Sequence, residues 1–343
     1  MVEDFEEIFF KKKISDNRNY KNNIPFYIKR KFLAYLVVSR SPTALITIAF
    51  LLLGEWYAIR QILFHETILM IIFLILAEFV SGLTNSFFDK KLDIFARKDT
   101  LWVFKYISPK EMLLTATICS IVGLFILWYY FNFTIFIMGL ILIIILFIYS
   151  APPIRLKTKA PMDVITNMLS YGSIPFILGW LITGNNFSLN VLVSGIIVGI
   201  SAVSYNLIIS WCDIKTDAKF GIKTTFVRLN YDWTINVSII LWIILLIFST
   251  IIFYFDITTI SFIIVFPVLI ILWLEYLNKK DYNIRLKIIN FCLWASLSLW
   301  LCFIYSSLIV LTKSIIPMIF LFIELVMISL NFLKYYKNSK RIV

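Results

Sequence analysis

The chain of 343 residues is 61% hydrophobic and only 15% charged, with a mean hydropathy of +0.90. That balance lies outside the range of soluble globular domains and marks a polytopic, all-α membrane helix bundle. A net charge of +12 can suggest a nucleic-acid ligand, but here the basic residues are interleaved with apolar spans. Anionic lipid headgroups are the simpler partner, and no nucleic-acid partner is expected.

Residues 1–42 are a basic segment with no evident cleavable signal. Beyond it, apolar runs long enough to cross a hydrocarbon core, about 20 residues of helix, predict ten spans. They fall at roughly 43–60, 66–88, 111–131, 133–150, 161–183, 188–211, 233–254, 257–277, 288–311 and 314–333. If the N-terminus is cytoplasmic, every inside segment is rich in Lys and Arg, and of the 32 such residues only Arg60 and Lys313 fall outside. The positive-inside rule therefore fixes an even number of spans with both termini cytoplasmic, in keeping with the plasma membrane of a prokaryote. Cys119, Cys212, Cys292 and Cys302 lie in or at the ends of spans without metal-ligand spacing, so neither a disulfide framework nor a zinc site is indicated. His65, the only histidine, is expected at the external surface.

The acids are more informative. The second predicted span runs into "TNSFFDKKLDIF" (84–95), where Asn85, Asp89 and Asp93 recur every four residues and share one face of a continuing helix. The sixth runs into "CDIKTDAKFGIKTT" (212–225), where Asp213 and Asp217 repeat the spacing, with Asn206 and Ser210 on the same stripe. Acids at a helix C-terminus are unfavourable by about 0.3–1 kcal/mol each, so something positive should compensate them. Lys90, Lys91, Arg97, Lys215, Lys219 or a divalent cation could do so. Oxygen ligands without His or Cys suit a hard ion such as Mg2+, completed by water and substrate phosphate. Simple solvation of helix ends stays open beside this reading. Glu78, seven residues before Asn85 on the same face, is expected to point inward with it.

At this point the sequence resembles the UbiA superfamily of intramembrane prenyltransferases. That family's first motif, N-D-x-x-D-x-x-x-D, is matched by N-S-F-F-D-K-K-L-D at Asn85, Asp89 and Asp93, with Ser86 in place of an Asp. Its second, D-x-x-x-D-x-x-x-G-x-x-T, is matched at Asp213, Asp217, Gly221 and Thr224. Between them "YSAPPIRLKTKAPMD" (149–163) resembles the family's Y-S-x-P-P-x-R-x-K segment, and "ISPKE" (107–111) the lead into its third helix.

The resemblance covers roughly residues 30–230 and implies a nine-helix core with a central chamber opening near the cytoplasmic side. Residues 43–311 would form this bundle, and 312–343 an added span and basic tail. It also implies Mg2+-dependent transfer of a polyprenyl group from a prenyl diphosphate to a lipophilic or aromatic acceptor, with release of pyrophosphate. Asn85, Asp89, Asp93, Asp213 and Asp217 would hold the metal and diphosphate. Arg155, Lys157 and Arg97 would bind diphosphate oxygens, and Tyr149 would lie at the chamber rim.

Two departures bear on this. Ser86 leaves one carboxylate fewer, and "ARKDTLWVFKY" keeps little of the Arg- and Pro-rich stretch that follows the first motif in many relatives. The loop segments lean toward archaeal-type members with carotenoid or lipid acceptors. Phosphoribosyl transfer, terpene cyclisation, a non-catalytic scaffold and a transporter are the alternatives. A transporter would call for paired Gly/Pro-broken helices in the two halves, which the sequence lacks.

Overall fold

The computed structural model describes residues 24–39, 41–95, 99–210, 214–229, 301–302 and 304–326, with a few single positions between 236 and 247. These residues are almost wholly helical. In chain order they form α1 (Ile24–Val38), α2 (Ser41–Ile59), α3 (Phe64–Phe95), α4 (Pro109–Tyr130), α5 (Phe133–Ser150), α6 (Met162–Asn167), α7 (Ile174–Leu181), α8 (Leu189–Ser210) and α9 (Ile214–Lys219). Two 3-10 turns, Asp99–Lys105 and Leu156–Thr158, and a π turn, Met168–Ser173, complete the series to residue 219. A short helix over 225–229 follows, and the last described helices cover 304–312 and Ile315–Val326.

The predicted spans reappear with shifted ends. Phe64–Ile94, Pro109–Tyr130, Phe133–Ser150 and Met162–Leu181 are each long and apolar enough to cross a membrane, and the chain is an integral membrane protein. The predicted span at 257–277 and most of those at 233–254 and 288–311 lie outside the described residues. α1 was not foreseen: it lies within the basic segment and joins α2 at a 54° bend.

Helix starts follow from local chemistry. The phrase "ISPKE" is a capping box, in which Ser108 Oγ accepts from Glu111 N at 3.2 Å and Glu111 Oε2 accepts from Ser108 N at 2.7 Å. Pro109 fills the first helical position, where its missing N–H costs nothing. Lys31 of α1 then donates to Glu111 Oε1 at 2.5 Å, tying the N-terminal helix to the head of α4. Asn132 caps α5 through Ile135 N at 3.0 Å.

The core is built where backbones approach. A Cβ on Gly54 would lie 2.0 Å from Phe176 O, and one on Gly179 would lie 2.0 Å from Leu51 O. α2 and α7 therefore touch along two glycines, small-residue packing that serves where lipid gives helices no hydrophobic reason to associate. Phe50, Leu51, Leu52, Leu53 and Phe176 of these two helices are fully buried, as is Phe73 of α3, whose ring lies against Gly123 of α4 and Gly139 of α5. Away from these contacts, Leu114, Ile118, Ile121 and Phe125 of α4 are exposed, as suits a lipid-facing surface, and Trp128, Tyr129 and Tyr130 at its C-terminal end suit a membrane–water interface. Near the chain's far end, Tyr305 is fully buried and donates its hydroxyl to Leu45 O at 2.7 Å, joining residues 260 positions apart.

Candidate functional site

α3 is one helix of 32 residues, so the polar residues from Glu78 to Asp93 lie along a single rod. Glu78, Asn85, Asp89 and Asp93 are all buried, between 5% and 8% exposed, as a common inward face requires. Glu78 accepts from Thr43 Oγ1 at 2.8 Å, which engages its carboxylate at depth. Between Glu78 and Asn85, Gly82 lets α3 meet the end of α1, since a Cβ there would lie 2.0 Å from Val38 O.

Asp89, in the middle of the first acid stripe, is compensated from a different element. Arg155 Nη2 donates to Asp89 Oδ1 at 2.8 Å, and Lys157 Nζ donates to Asp89 Oδ2. Lys157 Nζ also donates to Asn85 Oδ1 at 2.9 Å, which further accepts from Ser150 Oγ at 3.1 Å. Lys90, an adjacent candidate, also holds its ammonium 6.0 Å from the centre of the Phe104 ring. Asp89 is thus gripped by two cations, and the Nε of Arg155 is buried without a hydrogen-bond partner.

The loop after α5 makes this reach possible. Arg155 takes a left-handed backbone (φ 42°) and donates its N–H to Ala151 O at 2.8 Å, a tight turn that folds the segment back over the end of α3. The 3-10 turn Leu156–Thr158 then carries Lys157 beside Arg155. Tyr149, half-buried at the end of α5, accepts from Asn167 Nδ2 at 3.4 Å.

Of the second motif, Asp217 is half-buried on α9. Asp213 lies outside the described residues, as does Arg97. The motif's other positions have local reasons. Gly221 takes φ +67° where α9 ends, while Ile222 N returns to Asp217 O at 3.0 Å. Thr224 caps the helix over 225–229 by accepting from Val227 N at 3.2 Å.

Asn85, Asp89, Arg155 and Lys157 are therefore brought into one cluster. Sequence reasoning gave no role to Ser150 or to Asp163, although both stand in the quoted loop segment; burial of an acid at the head of an apolar span was the available signal for Asp163. Among the described residues, no group of three or more His, Cys, Asp or Glu is close enough to hold a metal ion. A metal at this site would draw its remaining ligands from bound phosphate and water, the usual habit of Mg2+.

A buried carboxylate held by two cations of a neighbouring loop, at the end of a membrane helix, leaves a local excess of positive charge that suits an anionic ligand. The sequence profile of the UbiA prenyltransferase family matches residues 42–297, and the chain belongs to that family. No protein of curated function matches by sequence.

Solved structures share the fold. A UbiA homolog from Archaeoglobus fulgidus, bound to GPP and Mg2+, is 20% identical with a TM-score of 0.59, covering 79% of this chain and 99% of its own. An apo UbiA homolog from Aeropyrum pernix K1 is 16% identical with a TM-score of 0.60, covering 77% and 97%. A structure described as digeranylgeranylglyceryl phosphate synthase in membranes is 16% identical with a TM-score of 0.57, covering 81% and 99%.

Proposed function

We propose that the protein transfers a polyprenyl group from a prenyl diphosphate to a lipophilic acceptor within the membrane, releasing pyrophosphate in a Mg2+-dependent reaction. The observation that carries this is the Arg155–Lys157 pair on Asp89, with a spare buried donor at Arg155 Nε. A buried N–H without a partner costs about 1–3 kcal/mol unless a ligand supplies an acceptor, and a diphosphate has many. The GPP and DMAPP bound with Mg2+ in Archaeoglobus fulgidus homologs support the same ligand chemistry.

In this reading Arg155 and Lys157 bind and orient the diphosphate against the carboxylates of α3 and α9. Bound Mg2+ would neutralise charge growing on the leaving oxygen, with Asn85, Asp89, Asp93, Asp213 and Asp217 as its protein ligands or their supports. The carbon–oxygen bond of the donor breaks with its electron pair leaving on the diphosphate. The allylic carbon is then captured by an electron pair of the acceptor, whose displaced proton passes to solvent or a nearby base. The reading calls for an apolar chamber that keeps water from intercepting the cation. In this reading Tyr149, which accepts from Asn167 Nδ2, would lie at the chamber rim and contact the edge of the substrate.

The test is pyrophosphate release by the purified protein from geranylgeranyl diphosphate, with and without Mg2+, over a panel of quinone-precursor, carotenoid and glycerolipid acceptors. Mg2+-dependent release that Asp89→Ala and Asp213→Ala both abolish is expected. Release unaffected by either variant, or by removal of Mg2+, would overturn the reading.

A further inference from the structure

Asp163 opens α6 and is only 1% exposed, yet the chemistry above gives it no part. Its carboxylate accepts twice from a single residue 62 positions later: Oδ2 from Thr225 N at 2.8 Å, and Oδ1 from Thr225 Oγ1 at 2.6 Å. Beside it Ala160 N donates to Lys223 O at 3.2 Å, and Lys159 and Lys223 form an isolated parallel bridge. Asp163 N donates to Lys159 O at 3.2 Å, so the carboxylate and the loop turn are one unit.

A cap alone does not require this arrangement. The helix over 225–229 already has Thr224 as its own cap, and burying a carboxylate for a second cap carries a desolvation cost that a hydroxyl would avoid. What the contact joins is more telling. On one side is the loop whose Arg155 and Lys157 hold Asp89 and Asn85. On the other is the segment leading from Asp217, linked to it by the Ile222 N to Asp217 O hydrogen bond of 3.0 Å. One path from the first acidic motif to the second thus runs through Asp163.

We infer that Asp163 is a positioning residue that clasps the Arg155–Lys157 loop to the segment after Asp217, holding the two acidic motifs at the separation a shared diphosphate needs. The inference rests on the transfer function proposed above, and it assigns the clasp, not the chemistry, to Asp163 and Thr225. Neither residue contacts the diphosphate in this scheme, so their loss acts through the geometry of the residues that do.

The experiment uses the purified full-length protein in nanodiscs, with hydrogen–deuterium exchange and Mg2+ titrations at fixed geranylgeranyl diphosphate. Asp163→Ala is expected to raise exchange in both 151–160 and 221–229, and to raise the half-saturating Mg2+ and the KM for the diphosphate about tenfold, the scale seen when outer supports of a metal site are removed. Thr225→Val keeps the backbone donor but loses the hydroxyl, so it shifts the same quantities less. Asp163→Asn, which keeps an acceptor for Thr225 N, recovers most of the loss.

If Asp163→Ala does not fold, Thr225→Val decides. Faster exchange with an unchanged Mg2+ midpoint and KM in the folded variants would reduce Asp163 to a fold residue and overturn the inference. Failure of the transfer function itself is distinct, because wild-type protein would then turn over no geranylgeranyl diphosphate. In that case the clasp stands if Asp163→Ala loosens both segments together, and falls if only its own segment responds.

Discussion

Ser86 follows Asn85 by one residue on α3, about 100° further round the helix, and is half-buried where the family motif carries Asp. A carboxylate restored there would add an oxygen ligand near Asn85 and Asp89 without a new basic partner. Ser86→Asp is therefore expected to lower the half-saturating Mg2+ for pyrophosphate release severalfold, and an unchanged titration would place position 86 outside the metal's reach. Lys157 presents the opposite case, since its ammonium serves both Asn85 and Asp89. Charge-assisted hydrogen bonds are worth about 1.5–3 kcal/mol, so Lys157→Ala should raise the KM for prenyl diphosphate roughly tenfold or more, measured by steady-state kinetics. That Arg155 and Lys157 would join Asn85 and Asp89 followed in the sequence only from the motif resemblance, since spacing alone links the acids of α3 to one another and not to a loop residue 66 positions beyond Asp89. The Asp163–Thr225 contact was not legible there at all, since a tertiary pair 62 residues apart leaves no periodic trace.

At the scale of elements, the long apolar runs announced most helices, whose ends then followed from caps such as Ser108 and Asn132. What hydropathy could not announce was α1, whose Lys29, Arg30 and Lys31 interrupt its apolar face and hide it from a search for unbroken spans. Nor could it announce the π turn at Met168–Ser173, which widens the helix just before Pro175, a residue with no N–H to give to a regular ladder. The contact of α2 with α7 is equally silent in a hydropathy profile, because it depends on what glycines lack. Adding one methyl at Gly54 would drive it against Phe176 O. Gly54→Ala is expected to cost on the order of 1–3 kcal/mol or more, as overpacked cores do, seen as a lower thermal midpoint in detergent. A midpoint equal to wild type would mean that the two helices are free to part.

For the whole molecule, the alternation of charge makes a topological claim that can be tested without any activity. In the topology that the charge alternation implies, the exposed end of α3 near Lys91 would lie on the cytoplasmic side, and the turn at Gln61 on the opposite one. In a cysteine-free background, Lys91→Cys should react with a membrane-impermeant maleimide only in inside-out vesicles, and Gln61→Cys only in right-side-out ones. The reverse pattern would invert the protein and put the Asp89 cluster on the wrong side for a cytoplasmic substrate.

The hydrogen bond from Tyr305 to Leu45 has a consequence in time. A ribosome adds about 5–20 residues each second, so Leu45 enters the membrane on the order of tens of seconds before Tyr305 exists. During that interval α2 must wait in the bilayer without the tyrosine that later closes over its Leu45 carbonyl. Whatever shelters α2 meanwhile, be it the insertion machinery or its early contact with α7, governs how much newly made protein survives to be completed.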